Sequence, residues 1–241
     1  QEIQPENQNK SDFVTLNLSY ESQNDKEIVV SRSGATAAEK KLYDLHFYVF
    51  DKAGNLTGYE EVLPMGDNDV IEEAPATETV SIRAKSGESY IYAVANINES
   101  TTYYLEQEDL DLLSIDKGTT DEEYQRNIEE SDLTRDAFLS INFKRQYGNE
   151  NQMFSPDPSG NVFVMSGYMN NGYTVNIPSG TNGTVTLPED DEHIVKLYRI
   201  LAKNTFTVTS GTSEGKFTPK SFRLCNVPTS GVLIPNAGIG S

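Results

Sequence analysis

The stretch Leu42-Tyr-Asp-Leu-His-Phe-Tyr-Val-Phe50 decides the fold of this chain of 241 residues. Successive side chains of a β-strand point to opposite faces. One face would be made of Tyr43, Leu45, Phe47 and Val49. On the opposite face, Tyr48 and Phe50 add a second apolar surface. An element that is apolar on both faces is typical of a central strand covered from both sides, so the stretch predicts the middle of a β-sandwich.

Alternating segments on both sides of this strand predict its neighbours. The turn residues Asp51–Asn55 lead into a hairpin partner at residues 56–62. Residues 13–20 predict a half-buried first strand. Its inner face consists of Val14, Leu16, Leu18 and Tyr20. Further strands are expected at residues 79–85, 89–97, 161–165, 173–177, 184–187 and 194–208.

The acidic segment from Thr101 to Phe143 has a different character and predicts one or two short helices. Thr120 followed by Asp-Glu-Glu is a suitable helix N-cap with an acidic first turn. Many short strands, separated by turns, outnumber these helices. The sequence therefore predicts an all-β fold with minor helices, arranged as an antiparallel β-sandwich.

Two polar segments flank the first strand. Residues 1–12 contain Ile3 as their only large apolar residue before position 12, and we expect them to form a flexible tether. Because they begin without Met, we expect a mature form from which an export signal has been removed. Residues 31–39 are small, polar and without pattern, as in an exposed linker that proteases can reach.

Composition narrows the classes of function. The formal net charge of −18 repels nucleic-acid phosphates, so we expect no nucleic-acid partner. The single cysteine, Cys225, forms no disulfide within the chain, and its alternating surroundings favour a buried apolar role over that of a nucleophile. The acidic triplet at residues 67–69 is too short for a calcium loop, so no metal site is expected.

The familiar catalytic signatures are absent from the sequence. There is no nucleophile elbow, no zinc-protease motif, no phosphate-binding loop and no dinucleotide fingerprint. Acidic pairs such as Glu60-Glu61 and Asp190-Asp191 are read as solvated surface rather than as glycosidase carboxylates. We therefore expect neither an enzyme nor a cofactor.

Five segments follow one another in an order that has a counterpart among known families. The first strand, residues 13–20, is followed by Arg32 in a linker, and the next segment is the hairpin 42–56. The others are Tyr90–Asn96, Phe163–Gly167 and Val195–Lys203. This order, across about residues 13–203, resembles the fimbrillin family, the FimA-like and Mfa-like type V pilins of anaerobic Gram-negative bacteria.

The resemblance implies a structural subunit of a cell-surface fimbria that serves adhesion. Family members are exported as lipoprotein precursors to the outer membrane, and an arginine-specific protease then removes the first strand. Carried over to this sequence, the cut follows Arg32 and leaves Ser33 as the new N-terminus. The departing strand would take with it Val14, Leu16, Leu18 and Tyr20. A neighbouring subunit's strand then fills the groove. The implied partners are other fimbrial subunits, the protease and a host or bacterial surface receptor.

The resemblance also implies two domains. Residues 13–190 are expected to form the N-terminal fimbrillin β-sandwich, and residues 191–241 to begin a second β domain that is either truncated or short. The alternative function is a glycan- or host-binding surface lipoprotein that shares this scaffold without polymerising. The absence of Trp, a frequent sugar-binding residue, argues against that alternative.

Overall fold

The computed structural model describes residues 12–22, 42, 44–62, 78–97, 103–145, 164–180, 183–199 and 230–234. The strands are β1 Phe13–Ser22, β2 Leu45–Asp51, β3 Leu56–Val62, β4 Glu78–Lys85, β5 Gly87–Ala95, β6 Tyr103–Tyr104, β7 Asn142–Arg145, β8 Met165–Tyr168, β9 Val175–Ile177, β10 Thr184–Thr186, β11 Ile194–Arg199 and β12 Ser230–Val232. The helices are α1 Gln107–Leu113, α2 Asp121–Glu129 and α3 Arg135–Ser140, with a 3₁₀ turn at Asn170–Gly172. The expected all-β fold with minor helices is confirmed.

Nine strands form one sheet that curls until its ends meet. Its order is β10-β1-β11-β8-β5-β2-β3-β4, with β9 beside β5, and β1 also pairs with β4. All pairings in this sheet are antiparallel except those of β1 with β10 and with β11, which are parallel. The strands β12, β7 and β6 form a separate small sheet. The closed sheet leaves β1 paired on both of its edges.

The sheet has an apolar layer on each side of its central strand. The side chains enclosed by the sheet, which we call the inner core, include Leu45, Phe47 and Val49 of β2. The outer face carries an outer core rich in aromatic residues, where Tyr48 and Phe50 pack against Phe138 of α3 at ring-centroid distances of 5.0 and 5.4 Å. The two-sided burial expected for residues 42–50 is thus present in the described residues of that stretch.

Close approach of strands explains why a glycine occupies β3. Gly58 lies opposite Ala84 of β4, and a Cβ on Gly58 would lie 2.6 Å from the Ala84 Cβ. Contacts this short do not occur between real Cβ atoms, so a larger residue would push β3 and β4 apart. Gly58 thereby permits the contact between β3 and β4 through which the sheet closes.

The helical segment contains three short helices, where the sequence predicted one or two. The Thr120 side chain accepts a hydrogen bond from the Glu123 N–H, which confirms the expected N-cap of α2. The additional helix α3 begins in the same way, because Thr134 accepts a bond from the Ala137 N–H. A Thr immediately before a short helical run was a usable signal for this second cap.

The strand that follows the expected domain boundary at residue 190 lies in the main sheet, and the boundary itself stays a prediction. Residues Ile194–Arg199 form β11, which pairs with both β1 and β8 inside the main sheet. Farther along, Leu233 and Ile234 are buried in the outer core. The parallel pairing with β1 brings β11 into the first sheet, although it comes late in the sequence. Residues 200–229 and 235–241, and with them Cys225, lie outside the described residues.

Candidate functional site at the first strand

The inner face of β1 is fully inserted into the inner core. The side chains of Val14, Leu16, Leu18 and Tyr20 have exposed fractions of 5, 0, 1 and 2%. The Tyr20 ring packs edge-on against Phe47 of β2, with centroids 5.5 Å apart. Its hydroxyl donates a hydrogen bond of 2.8 Å to Glu78 Oε2 on β4. Burial, and then the bond and charge of Glu78, raise the pKa of Tyr20.

The two edges of β1 are held differently. On one edge, β4 pairs continuously with β1 from Phe13 opposite Lys85 to Tyr20 opposite Glu78. On the other edge, β10 pairs with residues 15–17 and β11 with residues 19–22, both in parallel. Leu187 N–H also donates to the Asn17 carbonyl at 2.9 Å, in the connection between these two short strands. Removing β1 would leave three strand edges without this partner.

The outer face of β1 is polar over most of its length and carries a small hydrogen-bond network. Ser81 Oγ on β4 donates to Asn17 Oδ1 at 2.6 Å. Asn17 Nδ2 donates to Thr186 Oγ1 on β10 at 3.3 Å. Asn17 therefore connects β1 by its side chain to the neighbours on both edges. Thr15, on the same face, is exposed.

Phe13 is the apolar exception on this outer face. It is 8% exposed and belongs to the outer core. Its ring meets the Tyr124 ring of α2 edge-on at 6.2 Å, and Lys85 Nζ lies 5.3 Å from its centroid. The Arg83 guanidinium lies 6.0 Å from both rings. Two cations beside one ring are a favourable arrangement, because the ring face is electron-rich.

Helix α2 holds the surroundings of Phe13 in place. The carbonyls of Tyr59 and Arg83 share the one proton of the Tyr124 hydroxyl as acceptors, and the hydroxyl oxygen accepts from the Tyr59 N–H at 2.9 Å. Arg83 forms an ion pair with Asp121, and Lys85 forms one of 2.7 Å with Glu129. Helix α2 thus ties β3 and β4 together beside the first residue of β1, so the walls of the Phe13 pocket are preorganised.

The one buried histidine in the described part of the chain belongs to a structural network. His46 is 4% exposed; its Nδ1 lies 2.9 Å from Tyr59 Oη and its Nε2 lies 3.1 Å from Asp44 Oδ1. Asp44 Oδ1 also accepts the Ile97 N–H at 3.0 Å. These bonds satisfy polar groups enclosed between β2, β3 and the end of β5. Across the described ranges, no group of three or more His, Cys, Asp or Glu residues is arranged to hold a metal ion.

The residues predicted for the site fall into two groups. Val14, Leu16, Leu18 and Tyr20 are brought together in the inner core. Arg32 and Ser33 lie outside the described residues, and their role in processing stays a prediction. Sequence reasoning missed Phe13 and its partners Arg83, Lys85 and Tyr124. The usable signal was an aromatic residue among the polar positions of an alternating strand.

Among the helices that the structure describes, none is long and apolar enough to cross a membrane.

Comparison with known proteins identifies the family. Residues 13–199 match the family described as major fimbrial subunit protein (FimA), and because the match covers most of the chain, the chain belongs to this family. A search of curated proteins gave no match.

Solved structures with a similar fold include three fimbrial proteins of Porphyromonas gingivalis. The tip fimbrial protein Mfa3 is 16% identical, with a TM-score of 0.44 over 78% of this chain and 48% of that one. The fimbrial anchor protein Mfa2 is 14% identical, with a TM-score of 0.40 over 77% and 50% of the two chains. The fimbrilin FimA is 13% identical, with a TM-score of 0.39 over 78% and 40%. The chain thus matches about half of each structure or less.

Proposed function

We propose that this chain is a structural subunit of a cell-surface fimbria, assembled by removal of β1 and exchange of strands between subunits. The observation that carries the proposal is the way β1 is held. Its inner face fills the core of a closed sheet, yet its outer face is polar from Thr15 onward and one of its edges rests on two short parallel strands. Such a strand fills much of the inner core, and its polar outer face and short partners on one edge favour its replacement by another strand.

The chemistry of exchange follows from this geometry. A cut after Arg32 would separate β1 from β2, because the connection between them covers residues 23–44. Burial of four apolar side chains contributes roughly 5–10 kcal/mol as an upper bound, so the cut strand stays bound until another strand replaces it. The vacated groove would offer apolar pockets and unpaired N–H and C=O groups, which a strand from another subunit can fill by strand addition.

The proposed setting is the outer surface of the cell. The family supports a fimbrial location, and the net charge of −18 suits an exposed, soluble subunit. Export as an outer-membrane lipoprotein precursor, processing by an arginine-specific protease and attachment to a host or bacterial receptor in adhesion complete the proposal. The proposed function requires no catalysis and no cofactor.

Proteolysis of the purified protein tests the function. Treatment with an arginine-specific protease should cut the Arg32–Ser33 bond while β2 to β5 stay folded, and the cut protein should then form a ladder of oligomers. The control is the Arg32→Ala variant, which should stay uncut at this bond and monomeric. If cut protein without bound β1 stays monomeric and melts at the temperature of the intact chain, the exchange mechanism fails. Specific binding of such a monomer on a glycan array would favour the non-polymerising alternative.

A further inference from the structure

The aliphatic side chains of the inner face of β1 cannot by themselves define the register of this strand. A strand that slips by two residues keeps the same set of side chains facing inward, because the side-chain period is two. Val14, Leu16 and Leu18 are similar aliphatic residues, so a slip that moves Val14 and Leu16 to the positions of Leu16 and Leu18 would still place an aliphatic side chain at each of those two positions. Some other contact must distinguish the correct register from the slipped one.

Two aromatic residues at opposite ends of β1 supply that contact, and they face opposite sides. Phe13 points outward into the pocket of Arg83, Lys85 and Tyr124. Tyr20 points inward, onto Phe47, with its hydroxyl on Glu78. They are seven positions apart, an odd number, which puts them on opposite faces of the strand. A two-residue slip would remove both rings from their pockets at once.

Between the two rings, Asn17 provides a third constraint. Its amide oxygen accepts from Ser81 and its amide nitrogen donates to Thr186, so both polar ends of the side chain are used. In a strand slipped by two residues, Thr15 or Ser19 would occupy this position, and neither hydroxyl has the length of an amide to span both neighbours.

We propose that the groove occupied by β1 selects its occupant by register, through an outward aromatic pocket at the first position, an inward aromatic pocket at the eighth and an amide-binding position at the fifth. The inference rests on the function proposed above and specifies the partner. The preferred occupant is a strand of a neighbouring subunit with an aromatic residue, three residues, Asn, two residues and Tyr. Arg83, Lys85, Tyr124, Ser81 and Glu78 are the residues of this chain that determine specificity.

The intact chain provides the first test, because β1 is itself an occupant of the groove. Phe13→Ala should lower the melting temperature by roughly 5 °C or more, and Phe13→Leu by less. Thr15→Ala, on the same face and two residues away, is the matched control and should shift it by no more than about 1 °C. The double variant Phe13→Thr with Thr15→Phe has the composition of the original strand and should be as unstable as Phe13→Ala. Equal melting temperatures for Phe13→Ala and Thr15→Ala would refute the outward pocket.

Peptide exchange provides the second test. A specific protease site introduced within residues 23–41 allows the chain to be cut whether or not Arg32 is a natural processing site. Fluorescent peptides of residues 12–22 should replace the bound strand, and the peptide with Phe13 and Thr15 interchanged should bind roughly tenfold more weakly than the original. The Thr15→Ala peptide should bind as the original does. Equal binding of the original and interchanged peptides would overturn selection by register.

The two tests separate the failure of this inference from the failure of the proposed function. If the original peptide never enters the cut protein, exchange between subunits is refuted, and the melting temperatures of the intact variants still decide whether the two pockets define the register. If the original peptide enters and the interchanged peptide enters equally well, exchange stands and selection by register is wrong.

Discussion

The strands β1 and β2 both place apolar side chains in the inner core, but the rest of each strand is held in a different way. β2 has antiparallel partners on both edges, β3 and β5, and its outer face is covered by the aromatic outer core. β1 has one antiparallel partner, two short parallel partners and an outer face that is polar beyond Phe13. Under the exchange proposed above, the comparison teaches that deep burial alone does not hold a strand in place: the second face and the second edge would decide whether another strand can replace it.

The largest expected effect comes from damage to the outer face of β2. Phe50 is fully buried and packs against Tyr92 and Phe138 at 6.0 and 5.4 Å. Phe50→Ala should therefore lower the free energy of unfolding by about 3–5 kcal/mol, measured by urea denaturation. Leu16→Ala in β1 should also destabilise the intact chain. In a chain cut between β1 and β2, however, Leu16→Ala should weaken only the binding of β1, whereas Phe50→Ala should destabilise the remaining body. If Leu16→Ala and Phe50→Ala destabilised the part of the cut chain without β1 equally, the difference drawn between β1 and β2 would be contradicted.

The next largest effect is expected where β8 contacts β11, the strand that pairs in parallel with β1. Gly167 of β8 lies so close to β11 that a Cβ would come within 2.1 Å of the Lys196 carbonyl oxygen. Gly167→Ala should force β8 and β11 apart and cost about 1–3 kcal/mol of unfolding free energy. The matched control is Ser166→Ala, since the Ser166 Oγ is buried and has no hydrogen-bond partner in the described part of the chain. We expect this control to be neutral within about 0.5 kcal/mol; a larger loss there than at Gly167 would disprove the close-approach argument.

Removal of the Tyr20 hydroxyl tests how the C-terminal end of β1 is held. Tyr20→Phe keeps the ring on Phe47 and loses the bond to Glu78, which should cost about 1 kcal/mol at neutral pH. The fold raises the pKa of Tyr20 above its ordinary value of 10.0, mainly through burial. The contribution of the buried neutral phenol is therefore complete below pH 10.0 and is lost as the pH rises through the folded-state pKa, because the unfolded phenol ionises first.

The measurement is thermal melting of both proteins across this pH range. The difference between the original chain and Tyr20→Phe should narrow above pH 10.0. Tyr173→Phe, whose ring is 61% exposed, is the control and should leave the melting temperature unchanged. A difference that widened with pH would mean that the phenol is not kept neutral by the fold.

The smallest effect is expected at the N-terminus of helix α2, which packs beside β3 and the Phe13 pocket. Thr120 caps α2, and Thr120→Ala leaves the Glu123 N–H without this acceptor. We expect a loss of roughly 0.5–1 kcal/mol in unfolding free energy, and Thr120→Ser should restore most of it. Because α2 carries Tyr124, the same variant should slightly weaken β1 in the cut chain. No change in β1 binding would show that the pocket is held by Tyr124's own hydrogen bonds rather than by the helix cap.

Much of the fold was predictable from local patterns. The two-sided apolarity of residues 42–50, the turn at Asp51–Asn55 and the cap at Thr120 all depend on side chains that are neighbours in sequence or on a regular period. The inward face of β1 was predictable for the same reason. Phe13 was not assigned a role, because its partners Lys85 and Tyr124 come from β4 and α2, more than 70 positions away in the chain.

The amino-acid sequence by itself determined where the strands of the main sheet lie, which face of the first strand is apolar, and that the chain carries no recognised catalytic motif. Only the tertiary structure decided that β11 joins the first sheet, that β1 runs parallel to β10 and β11, and that Phe13 lies in a pocket on the outer face. The physical reason is the distance along the chain over which each interaction acts. Alternation and capping depend on neighbours along the chain, whereas pairing direction and pocket formation depend on which distant strands bury the most apolar surface together.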